Sequence, residues 1–312
     1  MSKLSQALER HFPRLHATLR RKPADAAVTD APIPETAVNS DLIPAGTRSS
    51  DVQPLHALHL DSFRPLTNSP IAIERLQSLV RLMRPRRALR TAKVRLGGPY
   101  DGGYVCLDDF KSVSTALSFG TGTDVAWDIA MGDKGIVVHQ FDHTVAASPV
   151  AHVNFRFYRR RIAATTAGEN CSIESAVSRS GSPKPLSVIL KIDIEGDEWP
   201  VFGATSPETL MTFSQVICEF HHFDRIADAD WYGQALAVLG KLNDKFAVVH
   251  VHGNNCGALL GVGNVRFPDN LEVSYASRAK YEFAETDEVF PGALDAPNEP
   301  MLPDYDLGRF VY

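Results

Sequence analysis

The sequence has few cysteines, no long apolar run and no excess of positive charge. Its four cysteines among 312 residues are widely spaced, without a C-x-x-C pair, which predicts reduced, packed thiols in a cytoplasmic protein rather than a disulfide framework. No apolar run approaches the length of a membrane span and no secretory signal is present, so we expect no transmembrane segment. A net charge of −5 argues against nucleic acid as the main partner.

Composition and charge divide the chain into three expected parts. The content of 44% hydrophobic and 22% charged residues is typical of a soluble globular protein with one large domain and extensions. We expect a basic amphipathic helix and a flexible linker over residues 1–69, the main domain over 70–283, and an acidic tail over 284–312. The helix, residues 1–22, suits packing on its own protein, docking of a partner, or peripheral contact with an anionic membrane.

Strand and helix patterns alternate through the main domain. This alternation predicts an α/β fold with a doubly wound, Rossmann-like sheet that is mostly parallel and has an antiparallel last strand. The expected strands begin near Thr115, Ile136, Val153, Val188, Phe213, Phe246 and Leu271.

The stretch Ser187–Trp199 is the most informative part of the chain. Its first half, Val188–Ile192, is mostly apolar and predicts a strand buried on both faces of a parallel sheet. Asp193 follows directly, at the carboxyl end where open α/β sheets bind ligands, and an unpaired carboxylate there would be costly. Asp193 is therefore a candidate site residue, whereas Asp197 and Glu198 are expected only to favour the start of the next helix.

A glycine turn and an acid predict a cofactor that contains adenosine. Gly120 and Gly122 follow the first strand of the sheet, and Asp142 ends the second strand, 20 positions after Gly122. Glycines let backbone amides approach a ligand, and an acid at this separation accepts hydrogen bonds from a ribose diol. The pattern does not separate a nicotinamide cofactor from S-adenosylmethionine. A second glycine-rich stretch, Leu96–Val105, marks either room for a ligand or a hairpin turn.

Histidines at predicted strand ends are candidate general bases, because histidine suits proton removal near neutral pH. They are His221, His222 and His252. Adjacent residues on a strand point to opposite faces, so we expect only one of His221 and His222 to face the cleft. Asp193, Glu219 and His221 end adjacent strands, and their oxygen and imidazole ligands also suit Mg²⁺ or Mn²⁺. The sequence leaves open whether a base or a metal acts.

Several short motifs together resemble those of S-adenosylmethionine-dependent methyltransferases. Lys191–Gly196, followed by Glu198 and Trp199, resembles the signature of the FkbM-like family. Motifs that resemble the related methyltransferase-like domains follow one another in order. They are Asp101–Tyr104, Ser118–Gly122, Phe141–Thr144, Glu219–His222 and His252–Asn255. The resemblance covers about residues 92–283 and departs from the general loop acid-x-Gly-x-Gly-x-Gly, since Ser118 replaces the acid and Asp124 the third glycine.

The resemblance implies transfer of a methyl group from S-adenosylmethionine to a sugar hydroxyl. In such an in-line displacement the protein aligns the hydroxyl and removes its proton. The implied cofactor-binding residues are Asp101, Gly102, Gly103, Gly120, Gly122, Asp142 and Asp193, with Asp101–Gly103 compensating for the altered loop. A divalent cation, Mg²⁺ or Mn²⁺, on Asp193, Glu219 and His221 would lower the pKa of the hydroxyl.

Two basic segments bear on the acceptor. Arg84–Arg95 and Arg159–Arg161 favour an acidic or phosphorylated acceptor, such as a nucleotide-linked sugar or a growing polysaccharide. A solvated surface would explain the first segment equally well. The acidic tail from Ala284 would lie over this basic surface, pair with the N-terminal helix, or stay disordered. Nothing in the sequence indicates the oligomeric state.

Two other functions remain alternatives. A nicotinamide-dependent oxidoreductase would use the same glycine turn and Asp142, although the sequence lacks a Tyr-x-x-x-Lys pair to accompany them. A non-catalytic interaction protein would keep a degenerate cofactor fold and recruit partners through its charged ends. The acids and histidines at several strand ends argue against this second alternative.

Overall fold

The computed structural model describes residues 63–311. The predicted basic helix of residues 1–22 and most of the predicted linker lie outside the described residues. None of the described helices is long and apolar enough to cross a membrane.

The described strands and helices are numbered in chain order. The strands are β1 (Phe63–Thr67), β2 (Arg87–Ala88), β3 (Lys93–Gly97), β4 (Gly103–Leu107), β5 (Thr115–Phe119), β6 (Val137–Phe141), β7 (Phe155–Tyr158), β8 (Arg161–Ile162), β9 (Asn170–Cys171), β10 (Val188–Ile192), β11 (Phe213–Phe220), β12 (Phe246–Gly253), β13 (Leu259–Val262), β14 (Val265–Pro268), β15 (Leu271–Ser277) and β16 (Phe283–Ala284). The helices are α1 (Pro70–Leu82), α2 (Ala126–Asp133), α3 (Ile173–Arg179), α4 (Glu198–Ala204), α5 (Pro207–Leu210) and α6 (Ala229–Asn243).

A seven-stranded sheet in the order β12-β15-β11-β10-β5-β6-β7 forms the centre of the fold. The pairs that join β11, β10, β5, β6 and β7 are all parallel, and β15 is antiparallel to both of its neighbours. The strand order and directions fit the Rossmann-like, mostly parallel sheet with an antiparallel last strand that the sequence predicts. The chain leaves β5 toward β6 on one side and returns to β10 on the other. The carboxyl ends of the neighbouring strands β5 and β10 therefore form a topological switch point, where such sheets bind ligands.

The register of the sheet brings the predicted site residues to one edge. Phe119, the last residue of β5, pairs with Phe141 of β6 and with Ile192 of β10. The residues that directly follow these three strand ends are Gly120, Asp142 and Asp193. They therefore lie side by side at the carboxyl edge of the sheet. β10 is buried along its whole length, which explains why its sequence is nearly continuous in apolar residues rather than alternating.

Two apolar cores cover the two faces of the central sheet. On one face, Leu190 of β10 belongs to a large cluster with residues of α1, α4 and α6. On the other face, Ile189 belongs to a cluster with Trp127 of α2 and Tyr104 of β4. Strands β3 and β4 form an antiparallel hairpin. Both faces of the sheet are covered, as the doubly wound prediction requires. The one difference is that the hairpin and α2 together cover the second face.

The acidic tail packs against the rest of the described chain. Phe290, Tyr305 and Phe310 are buried, and residues on both sides of the start of the tail pair with the basic segment. These pairs are Arg86 with Glu285, Arg84 with Glu285, Arg90 with Glu282, and Lys93 with Glu288. Of the three alternatives for the tail, the structure shows the one in which it lies over the basic surface.

Candidate functional site

The two glycines of the turn after β5 differ in what surrounds them. Gly120 has a φ of +73°, and a Cβ there would overlap the carbonyl oxygen of Asp193. Gly122 has a φ of +56°, but no atom lies within 4 Å of the place where its Cβ would stand. Gly120 is therefore required for the close approach of two chain segments, whereas Gly122 borders open space that a ligand could occupy.

Asp142 is buried and fixes the glycine turn. Its Oδ2 accepts a hydrogen bond from the backbone N–H of Gly122 at 2.7 Å, and its Oδ1 accepts from the N–H and the hydroxyl of Thr144. Burial raises the pKa of Asp142, but the hydrogen bonds from Thr144 and Gly122 outweigh burial and hold it below its usual value. An ionised carboxylate thus lies at the turn, as predicted, and its contact with a ribose stays a prediction.

The second glycine-rich stretch packs against the first. A Cβ at Gly102 would lie 2.6 Å from Oδ2 of Asp124, the residue that replaces the third glycine of the general loop. Oδ1 of Asp124 accepts a hydrogen bond from the N–H of Ala126 at the start of α2, which explains an acid at this position. The hairpin interpretation of the stretch is confirmed, and the hairpin also brings Asp101–Gly103 next to the turn.

One buried hydroxyl of the turn lacks a partner. Thr121 lies between the two glycines, only 3% of its surface is exposed, and its Oγ1 makes no hydrogen bond within residues 63–311. A buried hydroxyl without a partner is costly to the fold. The open space at Gly122 and the carboxylate of Asp142 together fit a polar cofactor.

The three predicted metal ligands form one cluster at the next strand ends. Asp193, Glu219 and His221 each offer one ligand atom, and these atoms all lie within 4.8 Å of one another. The Nε2 of His221 lies 3.9 Å from Oδ1 of Asp193 and 3.6 Å from Oε1 of Glu219. Glu219 also accepts a hydrogen bond from the side-chain amide of Asn254 at 2.7 Å. Two carboxylates and one imidazole make a donor set that fits Mg²⁺ or Mn²⁺.

Charge within the cluster keeps His221 protonated. Burial lowers the pKa of His221, but its contacts with Glu198 and the charges of Glu219 and Asp193 outweigh burial and raise it to about 10. Burial and the neighbouring Asp193 raise the pKa of Glu219 well above its usual value. At neutral pH His221 therefore carries a proton and cannot act as a general base in this state. A cation bound at Nε2 would take the place of that proton.

His252 forms buried ion pairs outside this cluster. Its Nδ1 lies 3.1 Å from Oε2 of Glu272, and its Nε2 lies 3.0 Å from Oδ1 of Asp304 in the tail. Burial lowers the pKa of His252, but hydrogen bonds to Asp304 and Glu272 outweigh it and raise the pKa to about 10. Both ring nitrogens are thus occupied, so His252 ties the tail to the sheet, and its predicted role as a base gains no support.

His222 lies outside the cluster. It is exposed, its φ is +71°, and its ring lies against Gly196, where a Cβ would overlap it. The structure thus brings only one of the two adjacent histidines into the cluster, as predicted. The physical reason differs from the predicted one, because β11 ends at Phe220 and the left-handed backbone of His222 directs its ring away.

Sequence reasoning missed Lys191, which links the turn to Asp193. Its Nζ donates to the carbonyl oxygen of Gly120 at 3.1 Å and lies 3.5 Å from Oδ2 of Asp193. The hydroxyl of Tyr104 approaches the same carboxylate at 3.4 Å. Burial lowers the pKa of Lys191, but Asp193 and Asp128 outweigh burial and raise it. A lone lysine in an apolar strand was the available signal, because a buried ammonium needs a partner.

The prediction that Glu198 merely favours the start of a helix is wrong. Its side chain has no exposed surface, and its two oxygens accept hydrogen bonds from the N–H groups of Ile194 and Gly196. Oε1 also lies 3.2 Å from Nδ1 of His221. Glu198 therefore holds the loop after β10 and contacts the cluster. Asp197, in contrast, pairs with Arg161 near the surface.

A separate cavity lies away from this cluster. Its volume is about 620 Å³, and Arg86, Arg87, Arg90 and Lys93 line it. None of its lining residues belongs to the glycine turn or to the Asp193 cluster. Glu285 pairs with Arg86 and Glu288 with Lys93, so the chain itself neutralises part of the predicted anion-binding surface.

Comparison with known proteins adds little to this geometry. No protein-family model matches the chain, and no curated protein matches it. The chain is similar to a solved structure of a candidate methyltransferase from an antibiotic biosynthesis pathway of Anabaena variabilis, with 13% identity and a TM-score of 0.26. That similarity covers 45% of this chain and 57% of the other, so the chain spans little more than half of the Anabaena protein.

A second solved structure is that of a candidate S-adenosylmethionine-dependent methyltransferase from Listeria monocytogenes. Its identity to this chain is 11% and its TM-score is 0.32, over 54% of this chain and 93% of that one. Similarities at these identities and TM-scores carry no conclusion about the family or the activity. The resemblance of the motifs to the FkbM-like family stays a prediction.

Proposed function

We propose that the protein is an S-adenosylmethionine-dependent O-methyltransferase that acts on a sugar hydroxyl. The observation that carries this proposal is the convergence of three features at the switch point of the sheet. They are the glycine turn with open space at Gly122, the ionised Asp142 beside it, and Asp193 in contact with Gly120. The resemblance of the motifs supports the choice of cofactor, which the glycine turn and Asp142 alone leave open.

The cofactor would be held by residues of the two glycine stretches and two strand ends. Gly120, Gly122 and Asp142 would line its adenosine and ribose, and Asp101–Gly103 would complete the pocket. When bound, S-adenosylmethionine supplies an electrophilic methyl group on a positively charged sulfur. The carboxylate of Asp193 lies close to the turn and favours a positive charge there.

We further propose that Asp193, Glu219 and His221 hold a divalent cation, Mg²⁺ or Mn²⁺. When bound, the cation lowers the pKa of the acceptor hydroxyl and orients it. The approach of one ligand atom from each of these three residues to within 4.8 Å of one another supports this alternative, whereas both ring nitrogens of His252 already face Glu272 and Asp304. Asp193 would then face both the cation and the acceptor.

The acceptor is proposed to be a sugar of a glycan, a polysaccharide or a nucleotide-linked sugar. A phosphorylated acceptor would use Arg159, which is exposed and makes no ion pair within the described residues. The neighbouring Arg161 pairs with Asp197, which directly precedes α4 and lies four positions after Asp193. This basic group lies just beyond β7, at the same edge of the sheet as the glycine turn.

Methyl transfer from radiolabelled S-adenosylmethionine to a panel of sugars tests the proposal. The panel contains neutral methyl glycosides, sugar phosphates and nucleotide-linked sugars, with Mn²⁺ or Mg²⁺ present. We expect transfer by the wild-type protein and at least a hundredfold loss in His221→Ala, with folding retained. The comparison variant is His222→Ala, whose exposed ring lies outside the cluster, and it should keep its activity.

Two results would overturn the proposal in different ways. Saturable binding of the reduced nicotinamide cofactor, with no transfer to any acceptor, would favour the oxidoreductase alternative. A folded protein that binds neither S-adenosylhomocysteine nor a nicotinamide cofactor would favour the non-catalytic alternative.

A further inference from the structure

Helix α4 holds His221 at two points. The side chain of Glu198 contacts the ring, with Oε1 lying 3.2 Å from Nδ1. The next residue, Trp199, donates a hydrogen bond from its indole Nε1 to the carbonyl oxygen of His221 at 2.8 Å. Trp199 is itself buried and stacks on Phe220 with ring centroids 4.4 Å apart. Consecutive residues of one helix therefore contact the ring of this histidine and hold its backbone.

The carboxylate of Glu198 is itself rigidly held. It has no exposed surface, Oε2 accepts from the N–H of Gly196 at 3.0 Å, and Oε1 accepts from the N–H of Ile194 at 2.8 Å. These two N–H groups belong to the loop that begins at Asp193. The position of Glu198 relative to both Asp193 and His221 is thus set by the backbone.

The position of Glu198 bears on which nitrogen of His221 faces the other ligands. The two ring nitrogens of an imidazole point in different directions, so a carboxylate at Nδ1 leaves Nε2 facing away from it. Nε2 lies 3.9 Å from Asp193 and 3.6 Å from Glu219. In metal sites, a carboxylate that accepts the second N–H of a histidine fixes the ring and makes the ligating nitrogen more basic.

We propose that Glu198 is a positioning residue that presents Nε2 of His221 to a divalent cation. Oε1 of Glu198 lies 3.2 Å from Nδ1 but makes no hydrogen bond with it in this structure. With the cation bound, Oε1 would accept the N–H at Nδ1, and the lone pair at Nε2 then points to the space shared with Asp193 and Glu219. This inference rests on the proposed cation site and assigns Glu198 no contact with the cation itself.

Glu195 provides a matched control. Its Oε2 lies 3.9 Å from Nε2 of His221, so it brings the same charge to the opposite side of the ring. Its side chain is 75% exposed, whereas that of Glu198 is fully buried. Removing either charge changes the electrostatic field at His221, but only the loss of Glu198 removes the carboxylate that faces Nδ1.

The test is Mn²⁺ binding by the full chain, measured from the EPR signal of free Mn²⁺. We expect Glu198→Gln to weaken Mn²⁺ binding about 10- to 100-fold relative to wild type. Glu195→Gln should weaken it by no more than about fivefold, because solvent screens an exposed charge. Pulsed EPR should show a coordinated histidine nitrogen in wild type and in Glu195→Gln, and no such signal in Glu198→Gln or His221→Ala.

Several outcomes would overturn the inference. They are unchanged Mn²⁺ affinity in Glu198→Gln, an equal loss in Glu195→Gln, or no Mn²⁺ binding by wild type. Binding of S-adenosylhomocysteine, measured on the same samples, separates this failure from failure of the proposed function. Should Glu198→Gln not fold, ¹⁵N-histidine NMR of the wild type with Zn²⁺ as a diamagnetic probe decides the question. Zn²⁺ bound at Nε2 with a proton kept at Nδ1 is expected, and Zn²⁺ bound at Nδ1 would contradict it.

Discussion

The Nζ of Lys191 donates a hydrogen bond to the carbonyl oxygen of Gly120 at 3.1 Å. Lys191 also lies 3.5 Å from the carboxylate of Asp193, so one buried ammonium connects the glycine turn after β5 to the acid after β10. The proposed cofactor turn and the proposed cation cluster are therefore parts of one continuous site. Changes at this link should affect folding and ligand binding together.

Replacement of Lys191 tests that link. Lys191→Met keeps the length of the side chain but leaves the carboxylate of Asp193 without its cation, so we expect a loss of about 3 kcal/mol in the free energy of unfolding. Binding of S-adenosylhomocysteine should weaken as well, because the turn loses an anchor. Urea denaturation and calorimetric titration measure the two effects. Lys184→Met, at an exposed lysine, should change stability by less than about 0.5 kcal/mol, and an equal effect of both variants would refute the assignment.

The two glycines of the turn should respond differently to a methyl group. Gly120→Ala places a Cβ on the carbonyl oxygen of Asp193. The variant should therefore lose about 3 kcal/mol in the free energy of unfolding or fail to fold. Gly122→Ala meets no atom of the chain and should cost about 1 kcal/mol, owing to its left-handed backbone. If a ligand occupies the open space, Gly122→Ala should nevertheless weaken binding of S-adenosylhomocysteine about tenfold. Thermal unfolding and calorimetry on the same samples distinguish these effects, and unchanged binding would place the ligand elsewhere.

The ion pairs of His252 predict a pH dependence of stability. The pKa of this histidine rises from 6.5 to about 10 on folding. Its contribution to stability is therefore fully present below pH 6.5 and is lost as the pH rises through 10. We expect the free energy of unfolding of wild type to exceed that of His252→Gln by roughly 2 to 5 kcal/mol at pH 6, and the difference to vanish near pH 10. Urea denaturation across this range, with a chelator present, measures the difference. A difference in unfolding free energy that does not depend on pH would show that the histidine is not charged in the folded protein.

The sequence predicts those site residues that lie at the end of a recognisable apolar strand. Apolar strands mark β10 and β11, and the carboxyl ends of neighbouring parallel strands meet at one edge, so the cluster of Asp193, Glu219 and His221 is predictable. Gly122 and Asp142 likewise follow from a local pattern at a fixed separation, and the structure joins them by a hydrogen bond.

Contacts between distant segments have no such signal. Asp304 reaches His252 from 52 positions away along the chain, and no periodicity indicates which acid of the tail will do so. The role of Glu198 is missing from the sequence pattern for a different reason. An acid in the first turn of a helix normally serves the helix dipole, and only the packing of α4 on β11 shows that its carboxylate also meets His221.

Calorimetric titration of S-adenosylhomocysteine into the protein tests the proposed function most directly. Wild type should bind one equivalent with a micromolar dissociation constant. Asp142→Asn, which loses the negative charge beside the N–H of Gly122, should bind at least about tenfold more weakly, and Asp133→Asn at an exposed site should bind like wild type. A folded wild-type protein that shows no binding, or an Asp142→Asn variant that binds as tightly as wild type, would contradict the proposed cofactor site.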